Sequence, residues 1–151
     1  PSVKFLMVGR GLEKAGQEVF LEIKKNGWSD NFVMLGERSD VAVCLSGMVV
    51  FCVPSRSEGF PNVLGEAMLL GVPCVSTDAG DASLLGGADV PIARVDDPES
   101  LANKLIWMMS KSRQERQQIG QRLTQRILDN YPLDGMTSSY QKLYERLGSQ
   151  R

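Results

Sequence analysis

Histidine is absent from all 151 residues. It is the commonest general base near neutral pH, so any such base must come from another side chain or another domain. The serines Ser55 and Ser57 therefore have no imidazole to activate them as nucleophiles. Cysteine is sparse, and Cys44, Cys52 and Cys74 show neither metal-ligand spacing nor a Cys-x-x-Cys pair. Their apolar surroundings predict buried, reduced thiols of a cytoplasmic protein, not a disulfide framework or a zinc site. No one sign of charge dominates, with 17 Lys and Arg against 18 Asp and Glu, which removes the electrostatic footprint of a nucleic-acid binder. No apolar run approaches the roughly eighteen residues of a membrane span. Internal repeats, low-complexity segments and long linkers are missing too. The chain opens Pro1-Ser2-Val3-Lys4, with no initiator Met and no signal-peptide regions, and enters a strand almost at once. The expectation is a single domain, 1–151, excised from a larger protein.

What is present alternates short apolar runs with amphipathic stretches, the pattern of parallel strands joined by crossover helices. Strands are expected at Val3–Val8, Asn31–Leu35, Val49–Val53, Cys74–Thr77 and Asp89–Val95. Val49–Val53, the most apolar of them, reads as a central strand buried on both faces. Helices are expected at Leu12–Asn26, at a short segment capped by Asp40 and running through Leu45, and at Asn62–Leu70, closed by Gly71. Another starts at Asp96-Asp97-Pro98-Glu99 and turns Leu101, Leu105, Ile106, Met108 and Met109 toward the core. The tail is helical over Ser112–Asn130 and Pro132–Leu147. Arg113, Arg116, Arg122 and Arg126 give the first tail helix a basic stripe, read as a solvated face and not a membrane-docking one. Met136, Tyr140, Leu143, Tyr144 and Leu147 give the second an apolar stripe expected to pack on the domain's own core; left exposed, it would suggest a missing partner surface or dimerisation.

Ligands of an open parallel sheet bind beyond the carboxyl ends of its strands. Four small or polar loops fall there: Gly9-Arg10-Gly11, Gly36-Glu37-Arg38-Ser39, Ser55–Val63 and Asp78–Ala82. Together they predict one composite site. The third loop has the strongest chemistry. Free N–H groups at the start of the Asn62–Leu70 helix, with its dipole, suit a diphosphate. Gly59 lets the backbone come close. Glu66, one turn into the helix on the face of Asn62 and Val63, could accept two hydrogen bonds from a vicinal diol such as a ribose. Glu58, across the loop, could take hydroxyls of a second ring. A carboxylate beside a diphosphate makes little sense without hydroxyl donors between them, so the pair points to a sugar nucleotide. The alternative is two solvated carboxylates near a helix start. A dinucleotide reading of Gly9-x-Gly11 fails, because Lys14 stands at the third glycine position and no acid ends the second strand.

The run Pro54-Ser55-x-x-Glu58-Gly59-Phe60-Pro61-Asn62-Val63-x-x-Glu66-Ala67-Met68-x-x-Gly71-x-Pro73-x-Val75-x-Thr77 resembles the donor-site signature of the retaining GT-B glycosyltransferases of group 1, the glycogen-synthase-like family. Phe5–Gly9, Val33–Gly36, Asp78–Asp81, Asp97–Ala102 and Tyr140-x-x-Leu143-Tyr144 are similar to further blocks in the same order, so the resemblance covers nearly the whole chain. It implies an α/β fold: a Rossmann-like parallel sheet flanked by helices, the GT-B C-terminal domain, with a helical C-terminal tail. It also implies a nucleoside-diphosphate sugar as donor. Glu58 would contact the donor sugar and stabilise charge during transfer, and Glu66 would hold the ribose. Backbone amides of Gly59, Phe60, Asn62 and Val63 would contact sugar and diphosphate, while Pro61 has no N–H to give. Glu37, Arg38 and Ser39 would lie near the base. No metal or other cofactor is expected, in keeping with the lack of an Asp-x-Asp motif.

The sequence departs from the family pattern at several positions. By the resemblance, the Arg and Lys that neutralise the diphosphate would precede the strand matching Val3–Val8, and an N-terminal acceptor domain would be expected outside this sequence with them. Gly47-Met48 stands where Ala-Asp is usual, and Asp81 and Leu84 stand where a glycine and then a glutamate are usual. The expected function is the donor half of a retaining hexosyltransferase acting on a glycan, lipid or other acceptor in polysaccharide assembly, inactive in isolation. It would be cytoplasmic, meeting a membrane only peripherally and through the full-length protein. The alternatives are half of a GT-B sugar-nucleotide epimerase or phosphorylase, and a non-catalytic Rossmann-like interaction module.

Overall fold

The computed structural model describes residues 3–11 and 16–149, which fall into two compact units, Pro1–Met48 and Val49–Arg151. In the first, strand β1 (Phe5–Val8) pairs in parallel with β2 (Phe32–Gly36). The rings of Phe5 and Phe32 stack at 4.7 Å where the two strands come into register. Helix α1 (Gly16–Lys25) follows β1 and ends as expected at Gly27, whose φ of 70° only glycine adopts freely. Residues 12–15 of the expected helix lie outside the described residues. A 3-10 turn at Ser29–Asn31 precedes β2, and α2 (Val41–Ser46) buries Cys44 and Leu45. Asp40 occupies the N-cap position of α2 but does not cap it, because its carboxylate is taken by Arg38 at 2.6 Å.

The second unit is a parallel three-stranded sheet in the order β3 (Phe51–Val53), β4 (Cys74–Thr77), β5 (Ile92–Ala93). Within it β4, not β3, is the central strand, and all four of its residues are buried. This corrects the expected burial of Val49–Val53: the strand is three residues long, only Val53 is buried, and Val49 is 61% exposed. An apolar run can report either a central strand or an edge strand under partial cover, and periodicity does not separate them. The last strand is likewise shorter than Asp89–Val95, because Gly87–Asp89 winds into a 3-10 turn.

Helices α3 (Asn62–Leu69), α4 (Ala82–Gly86) and α5 (Pro98–Ser110) pack on β4, and α6 (Arg113–Asn130) packs on α3. Short α4 begins directly after the turn-rich Asp78–Asp81, where the sequence pattern predicts no helix. On α5, Met108 is fully buried and Leu101 and Leu105 are half-buried, an i, i+4, i+7 face. Ile106 and Met109, expected in the core, lie off that face and are exposed. Asp97 caps α5 by accepting the Ser100 amide at 2.8 Å, and Ser112 and Glu115 form a reciprocal capping box on α6. The arginines of α6 are more than a solvated stripe. Arg116 donates to the carbonyls of Met109 and Lys111, Arg122 pairs with Asp89 at 2.6 Å, and Arg126 donates to the carbonyls of Leu84 and Leu85 at 2.8 Å. Arg116 and Arg126 thereby close the ends of α5 and α4, where carbonyls lack intrahelical partners.

Between α3 and α6 the approach is set by two glycines. A Cβ on Gly120 would lie 2.0 Å from the carbonyl oxygen of Gly71, and Gly71 itself has a φ of 71°. Thr124, one turn on, donates to the Met68 carbonyl at 3.1 Å near the carboxyl end of α3. Helix α7 (Leu133–Gly148) does not pack its stripe as expected: Met136, Tyr140, Leu143, Tyr144 and Leu147 are all exposed. Apolar spacing marks a face that wants cover; it does not say what covers it. Among the described residues no helix is long and apolar enough to cross a membrane.

Gly120→Ala forces α6 away from backbone that cannot rotate aside, so it should cost about 1–3 kcal/mol in urea unfolding. Gly148→Ala, with nothing within 4 Å of the added carbon, should change stability by less than about 0.5 kcal/mol. Acid should also weaken the fold. The Ser100 amide, with Arg94, holds the Asp97 carboxyl below its ordinary value, and Ser112, with Lys111, does the same for Glu115. A lowered folded-state pKa means the stabilisation is complete above the ordinary carboxylate range of roughly 4 and fades as pH falls through the lower folded value. The urea midpoint should therefore drop below about pH 4, and Asp97→Asn should make that drop shallower.

Candidate functional site

Parallel pairing places the loops after β3, β4 and β5 at one edge of the sheet. The first of these, from Pro54 to Pro61, leads into α3. Its backbone lies directly on the turn after β4. Gly80 has a φ of 55°, and a Cβ there would stand 2.2 Å from the Gly59 carbonyl oxygen and 2.5 Å from that of Glu58. The amide of Asp81 donates to the same Gly59 carbonyl at 2.9 Å. Deeper in, the hydroxyl of Thr77 donates to the Ser55 carbonyl at 2.5 Å, from a side chain that is almost fully buried. Arg56 reaches across to Asp96 at 2.6 Å, both side chains in water. The ring of Phe60 meets that of Tyr131, just past α6, at 5.7 Å between centroids.

These contacts leave Glu58 half-buried, with its Oε1 accepting a hydrogen bond from the Ser55 hydroxyl at 2.6 Å. Helix α3 then starts at Asn62 behind Pro61, which offers no capping side chain. The amides of Asn62 and Val63 are thus first-turn donors with no intrahelical acceptor, at the positive end of the dipole. Leu64, Ala67 and Met68 are buried, so Asn62, Val63 and Glu66 share the exposed side of α3. The Glu66 carboxylate has no hydrogen-bond or ion-pair partner among the described residues. One unit thus gathers Glu58, Gly59, Phe60, Asn62, Val63 and Glu66 at a single strand-to-helix loop. It can present two carboxylates, one fixed and one free, on either side of a row of backbone donors.

Glu37, Arg38 and Ser39 belong to the other unit, beyond the carboxyl end of β2, and are exposed. There Glu37 is paired with Arg10 at 2.7 Å and Arg38 with Asp40, so each carboxylate raises the basicity of its guanidinium. The Gly9 amide donates to the Gly36 carbonyl at 2.9 Å, which brings the loops after β1 and β2 side by side. Sequence reasoning missed the supporting cast of the Glu58 loop: Ser55 as a donor to Glu58, Thr77 and Gly80 as its footing, and Arg56 with Asp96. Nothing in the spacing of Ser55, Thr77 and Gly80 announces that they meet.

A sheet edge, a glycine loop and an uncapped helix start are features with which α/β proteins as a class can hold an anion. A family model described as glycosyl transferases group 1 matches residues 1–111. The chain belongs to the group 1 glycosyl transferases, with the GT-B fold. It is 39% identical over 83 residues, 55% of its length, to a Vi polysaccharide biosynthesis protein of Salmonella typhi, of which it spans 14%. It is 28% identical over 144 residues, 93% of its length, to the N-acetyl-alpha-D-glucosaminyl L-malate synthase of Bacillus anthracis, of which it spans 37%. Among solved structures, the Anabaena HepE protein in complex with UDP and glucose superposes with a TM-score of 0.83 at 24% identity, over 99% of this chain and 41% of that one. The chain thus spans well under half the length of these relatives.

Two thiols of the sheet resist deprotonation. Burial pushes Cys52, on β3, up to about 11, and pushes Cys74 higher still, with Cys52 nearby adding to the effect. At pH 8 Cys52 should react with Ellman's reagent on the order of a hundredfold more slowly than a free thiol, and at the ordinary rate once urea unfolds the chain. Mass mapping of the labelled peptide measures this directly.

Proposed function

We propose that this chain is the donor-binding half of a retaining glycosyltransferase, gripping a nucleoside-diphosphate sugar while a further acceptor-binding domain completes the enzyme. The observation that carries the reading is the pairing, on one loop and helix start, of a pinned half-buried Glu58 with a free Glu66, and uncapped amides between them. The amides of Gly59, Phe60, Asn62 and Val63 receive sugar and diphosphate oxygens, helped by the α3 dipole. Glu66 accepts the two ribose hydroxyls, since an ionised carboxylate has only acceptors to offer and a diol has two donors. Glu58 accepts hydroxyls of the transferred sugar and stabilises the positive charge that develops at its anomeric carbon. With no histidine in the chain, no imidazole of its own takes part. The reading needs no metal.

Support comes from the family membership and from what the relatives' names record: UDP and glucose for the Anabaena protein, a glucosaminyl transfer product for the Bacillus one and a polysaccharide for the Salmonella one. The acceptor class proposed is accordingly a glycan, lipid or small hydroxy compound reached from another domain.

Isothermal titration of this chain with UDP, GDP and ADP should give a dissociation constant in the millimolar range or tighter for one of them, unchanged by EDTA. No heat at several millimolar nucleotide would overturn the assignment. Glu66→Ala should weaken that nucleotide by about ten- to a hundredfold, the worth of hydrogen bonds to a charged group. In the longer enzyme Glu58→Ala should leave nucleotide affinity nearly unchanged and lower kcat by about a hundredfold or more.

A further inference from the structure

Ser55 stands directly behind Glu58 in the site loop. A glutamate has three side-chain torsions to immobilise, and on an exposed loop it would sample many positions. Glu58 does not stand alone. Its Oε1 accepts the Ser55 hydroxyl at 2.6 Å, while its Oε2 has no partner among the described residues. Ser55 is in turn held through its carbonyl by the Thr77 hydroxyl at 2.5 Å. Thr77 is only 4% exposed and ends β4, the strand buried along its whole length. Its branched side chain is stiff about the first torsion, so the hydroxyl is aimed by the strand itself. From the other side, Gly80 and the Asp81 amide fix the carbonyls of Glu58 and Gly59. Two hydrogen bonds, joined through Ser55, therefore link the fully buried strand of the unit to one oxygen of the candidate carboxylate and leave the other oxygen for a ligand.

We infer that Ser55, anchored by Thr77, is the positioning residue of Glu58: it selects the one rotamer in which Oε2 faces the donor sugar. The inference rests on the reading of Glu58 given above. Ser55 touches neither sugar nor diphosphate in this scheme, so its loss should be felt in turnover and not in nucleotide affinity. Misplacing a reacting group by about 1 Å costs on the order of a hundredfold in rate.

The test is kinetic, in the longer enzyme, with nucleotide titration of each variant beside it. Ser55→Ala should lower kcat by about ten- to a hundredfold, with KM for the donor and affinity for UDP within about threefold of the parent. Ser55→Thr and Thr77→Ser, which keep the hydroxyls, should recover kcat to within about threefold. Adding Ser55→Ala to Glu58→Gln should lower kcat little further, because residues that act as a unit are not additive. Ser55→Ala with kcat within threefold of the parent overturns the inference. So does a fall in kcat matched by an equal fall in UDP affinity and thermal midpoint, which marks a collapsed loop and not a lost rotamer. An undiminished Ser55→Ala effect in the Glu58→Gln background overturns it too. Glu58→Gln with full turnover removes the reading of Glu58 and this inference with it, whereas an impaired Glu58→Gln beside a normal Ser55→Ala overturns the inference alone.

Discussion

The contact on which the second unit's site depends is between two backbones. At Gly80 the chain turns with a φ of 55°, and the carbonyls of Glu58 and Gly59 occupy the space a side chain would fill. That closeness lets the Asp81 amide bond Gly59 and brings the Ser55 carbonyl within reach of Thr77. Both residues of the footing come from the end of β4 and the turn after it, the end of the one strand that is buried throughout. A loop resting on a rigid strand keeps its side chains where they are needed without ordering them anew for each ligand. Glu58 and Glu66 are the visible part of this arrangement, and the buried strand behind the loop bonds the backbone of Ser55, whose hydroxyl bonds Glu58.

A second backbone contact works on the far side of the same helix. Gly71 and Gly120 let α6 come against the carboxyl end of α3, and Thr124 bonds a carbonyl there. Helix α3 is therefore anchored at its carboxyl end by protein, while its amino end, behind Pro61, keeps its donors free. An eight-residue helix has little stability of its own, so this packing holds it in place. The same logic explains the arginines of α6. Placed along a helix they suggest a charged surface, yet Arg116 and Arg126 spend their donors on carbonyls at the ends of neighbouring helices.

Much of the fold could be read beforehand because it rests on local rules. Cys74–Thr77 is a strand at the expected bounds, and Gly27 and Gly71 end helices with the positive φ their type permits. The capping box at Ser112 and Glu115 starts α6 one residue from where the pattern puts it. The errors fall where burial, not propensity, decides. Val49 is apolar and exposed, Ile106 and Met109 sit off the buried face of α5, and the stripe of α7 finds no cover among the described residues. Apolar side chains contribute heavily to every protein surface, so composition alone cannot assign them.

The alternation of strands and helices, the glycine-bearing loop at a helix start, and the family resemblance of the run from Pro54 to Thr77 are all legible in the sequence. Those features are carried by spacing along the chain, which a sequence records directly. The central place of β4 in its unit, the position of Gly80 under Glu58, and the placement of Ser55 and Thr77 behind it come from the folded arrangement. Hydrogen bonds between residues some twenty positions apart, such as Thr77 to Ser55, depend on strand order and register. Those are settled by packing, and packing has no signature in a single string of residues.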